Sequence, residues 1–325
     1  MVVLSVLFSC LNMLHRFNVL FLAVFLCLFN IWALAAPLIS ATELSEKKQD
    51  QANLRIVDIR PADDYLAGHI PGAVSAPYSV WRGPADNPGQ LLALSDLTQL
   101  IRSLGINEDT YVVVTSSGTD ATDFGAAARV YWTLKYLGLD NLSILNGGMR
   151  TWEQAVLDLD KETPVVTPSN FRARPNNDIL ATRDEIAARL DDETAVLVDA
   201  RPQNFYLGDA KAPVAKKPGT IKNAINFSHD QWFEPGSGLF ISADKAHTVA
   251  KDLLAQPGET TISFCNTGHW AATDWFALSE VVGLPNVKLY PESMTEWSQS
   301  ALPMDNVPSR GRQIINQLKN LLGRS

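Results

Sequence analysis

Cys265 is the residue of this chain with the clearest chemical potential, because it directly follows a run of β-branched and aromatic residues at positions 261–264. A short polar turn comes next, and residues 271–282 carry apolar side chains at helical spacing. This order predicts a strand, a tight loop and a helix, with backbone N–H groups and a helix N-terminus converging on the sulfur. Such surroundings favour a thiolate and would stabilise an anionic persulfide. The residues predicted to surround the sulfur with their amides are Asn266, Thr267, Gly268, His269, Trp270 and Ala271.

A cysteine at the end of a strand can also be an inert core residue, because free cysteine is among the most buried residue types. Gly268 and the small pair Ala271-Ala272 favour the functional interpretation, since they fit a loop that wraps closely and then enters a helix. We therefore interpret Cys265 as a nucleophile.

The first 36 residues differ from the rest of the chain. His15 and Arg16 precede an apolar run from Val19 to Leu34, and Ala33-Leu34-Ala35 offers a small-x-small cleavage site. This pattern predicts a signal peptide over residues 1–36 and export, to the periplasm. The alternative is an uncleaved inner-membrane anchor, since the run is close to the minimum length of a spanning helix.

The cysteine count gives this prediction a consequence. The chain has three cysteines, and Cys10 and Cys27 both lie in the predicted signal segment. Cleavage would leave Cys265 as the only cysteine, so an intramolecular disulfide is excluded. A single thiol in an oxidising compartment is liable to oxidation unless the fold protects it or the protein uses it in its chemistry. We interpret Cys265 as a thiol used in chemistry.

Composition and length are those of an ordinary globular protein. The chain is 46% hydrophobic and 19% charged, and its 325 residues suggest two domains. The formal net charge of −8, without an extended basic patch, argues against nucleic-acid binding. Scattered histidines and one mature cysteine argue against a metal site, and we expect no cofactor.

An internal duplication organises the chain. Short apolar strands alternate with helical segments, which predicts βα units and a parallel sheet. The strand that ends at Asp58 recurs at Asp199, and the segment that ends at Trp152 recurs at Trp297. One domain has therefore been duplicated with small insertions.

The duplication predicts the domain boundaries. We expect a first domain over residues 45–157, entered through a polar linker at 37–53, and a second domain over residues 178–305. Residues 158–177, rich in Pro, Thr and Asn, are predicted to link the two. The tail at 306–325 has a basic amphipathic helical pattern. It would lie on a membrane or partner surface, or pack on its own domain.

Two Val-Asp-x-Arg-Pro strand ends, a Gly-Gly-Met-x-x-Trp type of segment and a Cys-x-x-Gly-x-x-Ala loop together resemble the rhodanese family of sulfurtransferases. The resemblance covers roughly residues 50–305 and implies an α/β fold: two tandem rhodanese-like domains, each a mainly parallel β-sheet flanked by helices. Two-domain thiosulfate and 3-mercaptopyruvate sulfurtransferases carry their cysteine in the C-terminal domain only. The present chain is similar, because the first-copy loop at 116–120 offers no nucleophile.

The resemblance implies that the Cys265 thiolate accepts sulfur from a small anionic donor, thiosulfate or 3-mercaptopyruvate, and passes it to cyanide or a thiol. A thioredoxin-like protein is a further candidate acceptor, and we expect the protein to be a monomer. Arg201 would bind a substrate carboxylate as a fork, or else brace the turn through an ion pair with Asp199. His269 would meet the substrate charge, or donate a hydrogen bond.

Departures from the family pattern leave the donor open. The loop has no permanently charged residue, although the thiosulfate enzymes of the family carry basic residues there. No second arginine follows Arg201, unlike the mercaptopyruvate enzymes. Trp270 is unusually bulky; it would wall the pocket or stack on a ligand.

Two other functions use a similar loop. A non-catalytic sulfane-sulfur carrier or redox-sensing binding protein would need the same cysteine, and turnover with a small-molecule acceptor would distinguish it from an enzyme. A rhodanese-like phosphatase or an arsenate reductase fits less well, because it needs a longer loop with a terminal arginine.

Overall fold

The computed structural model of the chain describes residues 35–192, 194–254, 260–309 and 311. The predicted signal segment, apart from its last two residues, and most of the predicted tail helix lie outside these residues. Among the helices described, none is both long enough and apolar enough to cross a membrane.

The first domain is built on a five-stranded sheet in the order β1-β5-β4-β2-β3, with every pair parallel. All side chains of β4 and β5 are buried, as expected for parallel strands that helices cover on both faces. The strands are β1 (Leu38–Ile39), β2 (Leu54–Asp58), β3 (Val74–Ser75), β4 (Tyr111–Thr115) and β5 (Leu142–Leu145). The helices are α1 (Ala41–Asp50), α2 (Ala62–Ala67), α3 (Leu94–Ser103), α4 (Ala121–Tyr136) and α5 (Gly148–Gln154), with a 3₁₀ turn at Tyr78–Trp81.

The interpretation of residues 37–53 as a linker is wrong. Leu38 and Ile39 pair with β5, and α1 begins directly after Ser40. The Ser40 hydroxyl accepts a hydrogen bond from the Glu43 amide, and the Glu43 carboxylate accepts one from the Ser40 amide. This capping box satisfies two amides that have no partner within the helix, so a polar segment still starts a stable helix. Leu44 of α1 is fully buried and packs in an apolar cluster of the first domain.

The second domain repeats this plan with a four-stranded parallel sheet in the order β10-β9-β6-β8. A short antiparallel pair, β7 with β11, lies beside it. The strands are β6 (Ala195–Asp199), β7 (Thr220–Ile221), β8 (Ile225–Asn226), β9 (Thr260–Phe264), β10 (Val287–Leu289) and β11 (Met304–Asp305). The helices are α6 (Arg183–Asp192), α7 (Gln203–Tyr206), α8 (Ala243–Val249), α9 (Lys251–Leu254), α10 (Trp270–Trp275) and α11 (Ser293–Trp297). A π-helical turn at Phe276–Val281 continues α10, and 3₁₀ turns lie at Asn177–Ile179 and His229–Trp232. Two parallel sheets flanked by helices confirm the predicted fold class.

The two domains share one hydrophobic core. Helix α4 of the first domain packs against α10 of the second, and buried residues from both sides form a single apolar cluster. Phe124 lies in edge contact with Phe233 and Phe276 of the second domain, with ring centres 5.1 and 5.6 Å apart. Because α4 and α10 each follow one of the two equivalent loops, their packing brings first-domain side chains to the cysteine loop.

Candidate active site

Cys265 is the first residue after β9, which lies between β10 and β6 in the second sheet. The carboxyl end of a central parallel strand is where α/β folds place their ligands, because loop and helix N-terminus meet there. The side chain is only 1% exposed. A loop and then α10 follow, in the order that the sequence predicted.

Ser293 fixes the shape of the cysteine loop. Its Oγ accepts hydrogen bonds from the amides of Cys265 at 3.0 Å and Gly268 at 3.2 Å, and donates to the Tyr290 carbonyl at 2.8 Å. Ser293 also has a φ of 53°, a conformation that is costly for any residue with a side chain. Sequence reasoning did not single out this serine. The signal was its position directly before Met294, where the first copy has Gly148 before Met149.

The other amides of the loop remain available. Within residues 35–192, 194–254 and 260–309, no protein group accepts a hydrogen bond from the amides of Asn266, Thr267 or His269. Consecutive free amides beside a helix N-terminus form an anion-binding concavity. This agrees with the predicted environment for a thiolate or persulfide, although the residue roles themselves stay predictions.

Gly268 is required by the tight wrapping of the loop. Its φ is +65°, and a Cβ there would overlap the Arg129 guanidinium and the backbone of Pro291. Only glycine adopts this conformation without a side-chain clash.

His269 is tied to the first domain through both ring nitrogens. Its Nε2 lies 2.7 Å from the Thr122 carbonyl, which can only accept, so Nε2 carries the hydrogen and Nδ1 accepts from the Tyr78 hydroxyl at 2.9 Å. Burial, and then the positive charge of Arg82, lower the pKa of His269 to about 3. The imidazole is therefore neutral at physiological pH. Substrate binding by His269 stays a prediction, but both nitrogens are already engaged.

Trp270 is held by protein contacts on two sides. Its ring stacks on His229 with centres 4.7 Å apart, and its Nε1 donates to the Thr122 hydroxyl at 3.2 Å. Of the two roles considered for this side chain, these contacts fit the packing role.

Arg201 forms the ion pair that was the alternative to substrate binding. Its guanidinium donates to both carboxylate oxygens of Asp199, at 2.8 and 2.6 Å, and to the Gly219 carbonyl at 2.7 Å. Arg60 makes the same contacts in the first domain, with Asp58 and the Gly68 carbonyl. Only Nη1 of Arg201 points elsewhere, to the Asn266 side chain at 3.5 Å. Its substrate role stays a prediction.

Two first-domain arginines reach the loop, and sequence reasoning missed both. Nη2 of Arg82 donates to the Thr267 carbonyl at 2.8 Å, and Nη1 of Arg129 donates to the Gly268 carbonyl at 3.2 Å. They lie 185 and 139 positions from these partners, so no local pattern could indicate the contacts.

Comparison with known proteins agrees with this geometry. The rhodanese-like domain matches the chain twice, over residues 40–155 and 182–300. The chain belongs to the rhodanese family. It is 34% identical over 247 residues to the thiosulfate sulfurtransferase of Pseudomonas aeruginosa, which covers 75% of this chain and 88% of that protein. It is 29% identical over 255 residues to the thiosulfate sulfurtransferase of Rattus norvegicus, covering 77% and 83%.

Solved structures give the same fold. The 3-mercaptopyruvate sulfotransferase SseA from Escherichia coli matches with a TM-score of 0.70 and 25% identity, over 80% of this chain and 99% of that one. The anaerobic ergothioneine biosynthesis enzyme from Chlorobium limicola matches with a TM-score of 0.74 over 84% of this chain and 71% of that one. At 20% identity the latter shows the fold alone. Together the relatives make this rhodanese a sulfurtransferase.

Proposed function

We propose that this rhodanese transfers sulfane sulfur through a persulfide on Cys265, from an anionic donor to a thiophilic acceptor. The observation that carries the proposal is the loop itself. Cys265, the free cysteine of the described residues, lies among unpaired amides with two arginines at the neighbouring carbonyls. Positive charge and free N–H groups stabilise anionic sulfur before and after loading.

The reaction proceeds in two half-reactions. With thiosulfate, the Cys265 thiolate attacks the outer sulfur, an S–S bond to the cysteine forms, and sulfite leaves with the electron pair of the broken bond. With 3-mercaptopyruvate, the Cys265 thiolate attacks the thiol sulfur and an S–S bond forms. The C–S bond of the donor breaks, and its electron pair leaves as the enolate, which takes a proton to give pyruvate. Cyanide or a thiol then attacks the outer sulfur and releases the thiolate. Ping-pong kinetics follow from this scheme.

The setting of the reaction belongs to the same proposal. The N-terminal pattern supports export to the periplasm, with a membrane anchor as the alternative if the signal stays uncleaved. In that compartment a thioredoxin-like protein or a small thiol would serve as the acceptor. We propose that the enzyme acts as a monomer, because each chain contains both domains of the site.

The test is the intact mass of the purified protein after exposure to thiosulfate and, separately, to 3-mercaptopyruvate, followed by cyanide. We expect a gain of one sulfur atom that cyanide removes, with thiocyanate released, and no gain in the matched Cys265→Ser variant. The donor that loads the wild type is the substrate. A serine variant that gains and releases sulfur like the wild type would overturn the proposal.

The carrier alternative has a distinct outcome. A protein that loads sulfur but does not turn over with cyanide or small thiols would be a sulfane-sulfur carrier. Turnover with a small acceptor excludes that alternative.

A further inference from the structure

The loop around Cys265 lacks a permanent charge, but the first domain places two cations on it. The Arg82 guanidinium lies against the Thr267 carbonyl and the Arg129 guanidinium against the next one, at Gly268. Tyr78, whose hydroxyl donates to the His269 ring, lies beside Arg82, with its ring centre 5.2 Å from the guanidinium carbon. The positive charge missing from the loop sequence is therefore present in the folded site.

Neither arginine is neutralised by the part of the chain that the structure describes. No carboxylate there lies within 4.0 Å of either guanidinium, whereas the buried Arg60 and Arg201 each hold an aspartate. Nη1 of Arg82 and Nε of Arg129 are moreover buried and donate to no described acceptor. Leaving a buried donor of a charged group unpaired costs free energy, so such a donor is normally satisfied by an ordered water or by a bound anion.

Arg82 is the better placed of the two to contact a ligand. Arg129 lies within α4 and is fully buried, and its two terminal nitrogens donate to the carbonyls of Gly268 and Gly89. Arg82 follows the 3₁₀ turn at Tyr78–Trp81, is partly exposed, and uses only Nη2 on the loop. Its second terminal nitrogen, Nη1, is the donor that remains for a ligand.

We propose that Arg82 binds the anionic group of the sulfur donor beside Cys265, with Arg129 as a second, fixed positive charge. The first domain thereby supplies the donor specificity of a site whose nucleophile lies in the second domain. The inference rests on the proposed sulfur transfer: thiosulfate enters as a dianion, sulfite leaves as one, and both would interact with the Arg82 guanidinium.

Binding without turnover tests the proposal. In the Cys265→Ser background, calorimetric titration with thiosulfate should give a Kd that Arg82→Gln raises about tenfold or more, because one desolvated charge contact is lost. Arg82→Lys should retain most of the affinity. Arg150→Gln removes an exposed arginine of α5, beside the first-domain loop, and serves as the matched control with unchanged Kd.

Kinetics on the cysteine-containing protein supply a second readout. Arg82→Gln should raise the KM for thiosulfate far more than it lowers kcat, which a purely structural role would not produce. An unchanged Kd after Arg82→Gln, or no thiosulfate binding in the Cys265→Ser protein at all, would overturn the inference. Arg82-dependent binding in a protein that never gains sulfur would instead support the anion site and refute the sulfur-transfer proposal.

Discussion

The two domains carry a loop at the same position of the sheet, with different chemistry in each. In the sheets, Asp58 pairs with Thr115 and Asp199 with Phe264, so Ser116 occupies the position of Cys265. The Ser116 carbonyl accepts a hydrogen bond from the Met149 amide of α5 at 2.9 Å, and the Cys265 carbonyl accepts one from the Met294 amide of α11 at 3.1 Å. Duplication therefore preserved the position of the loop on the sheet but not its backbone conformation, because the residue with positive φ is Gly118, two residues after Ser116, in one loop and Gly268, three residues after Cys265, in the other.

One difference is how the loop amides are used. In the first domain the Asp123 carboxylate accepts from the amides of Gly118, at 2.5 Å, and Ser117, at 3.4 Å. A built-in anion thus occupies the position that would otherwise attract one. In the second loop no carboxylate has this role among the described residues, and the amides of Asn266 and Thr267 stay free. The amides of the first loop are therefore occupied by the Asp123 carboxylate, whereas those of the second loop can bind an external anion.

The largest expected effect comes from moving the thiol. Cys265→Ser should abolish sulfur transfer, and adding Ser116→Cys should not restore it, because Asp123 repels an anionic donor and occupies the amides. Thiocyanate production from thiosulfate and cyanide measures both variants, and circular dichroism controls for folding. Near wild-type transfer by the double variant would show that a thiol at the end of this strand is sufficient in either domain.

Arg60 and Arg201 form equivalent ion pairs in the two domains, so equal substitutions test whether the two arginines have different roles. Arg60→Ala and Arg201→Ala each leave a buried aspartate without its partner, so each should lower the free energy of unfolding by about 3–5 kcal/mol. Denaturant unfolding measures the two losses, which should be similar because each arginine donates to both oxygens of its aspartate and to one glycine carbonyl. If Arg201→Lys lowers kcat/KM for 3-mercaptopyruvate and Arg60→Lys does not, the substrate role predicted for Arg201 gains support. Equal kcat/KM in the two lysine variants would assign Arg201 to structure.

Much of the fold could be predicted from short-range patterns. Parallel strands such as β4 and β6 are mostly apolar runs, and the repeat of Asp58 at Asp199 revealed the duplication. What the patterns did not predict depends on side-chain hydrogen bonds at the N-termini of helices. Helix α1 is polar and is started by the Ser40–Glu43 capping box. Helix α4 begins at Ala121, three residues before its first large apolar side chain, Phe124, because the Asp120 side chain accepts from the Asp123 amide.

The candidate site was predictable only within its own loop. The order of strand, cysteine, glycine turn and helix is local, and it led to Cys265 and Gly268. Tyr78, Arg82 and Arg129 reach the loop through packing of α4 on α10, a contact between segments more than a hundred positions apart. Nothing in their sequence neighbourhood indicates it. Ser293 was visible only as a serine at the position of Gly148, and its role depends on a φ that sequence does not reveal.

Ser293→Gly gives the second domain the residue that the first domain has at the equivalent position, Gly148. Glycine relieves the backbone strain but removes the hydroxyl that accepts from Cys265 and Gly268, so we expect little change in stability and a kcat/KM lower by about tenfold. Denaturant unfolding and the rate of thiocyanate formation measure the two effects. Ser293→Ala is the control that keeps a side chain at the positive φ. Undiminished kcat/KM in the glycine variant would remove Ser293 from the account of the site.

The smallest expected effect is a pH dependence of the unfolding free energy, caused by His269, which joins the second loop to the first domain. Because burial and Arg82 hold the pKa of His269 near 3 in the folded protein, the unfolded chain binds a proton between roughly pH 6.5 and 3 that the folded chain does not. The stability that neutral His269 contributes is thus complete above about pH 6.5 and is lost as the pH falls towards 3. In His269→Gln the amide can still donate to the Thr122 carbonyl but does not titrate. The advantage in unfolding free energy of the wild type over this variant should therefore shrink by about 1 kcal/mol between about pH 7.5 and about pH 5.5. Urea unfolding at both values measures it, and a difference that does not change with pH would mean that the folded protein tolerates a charged His269.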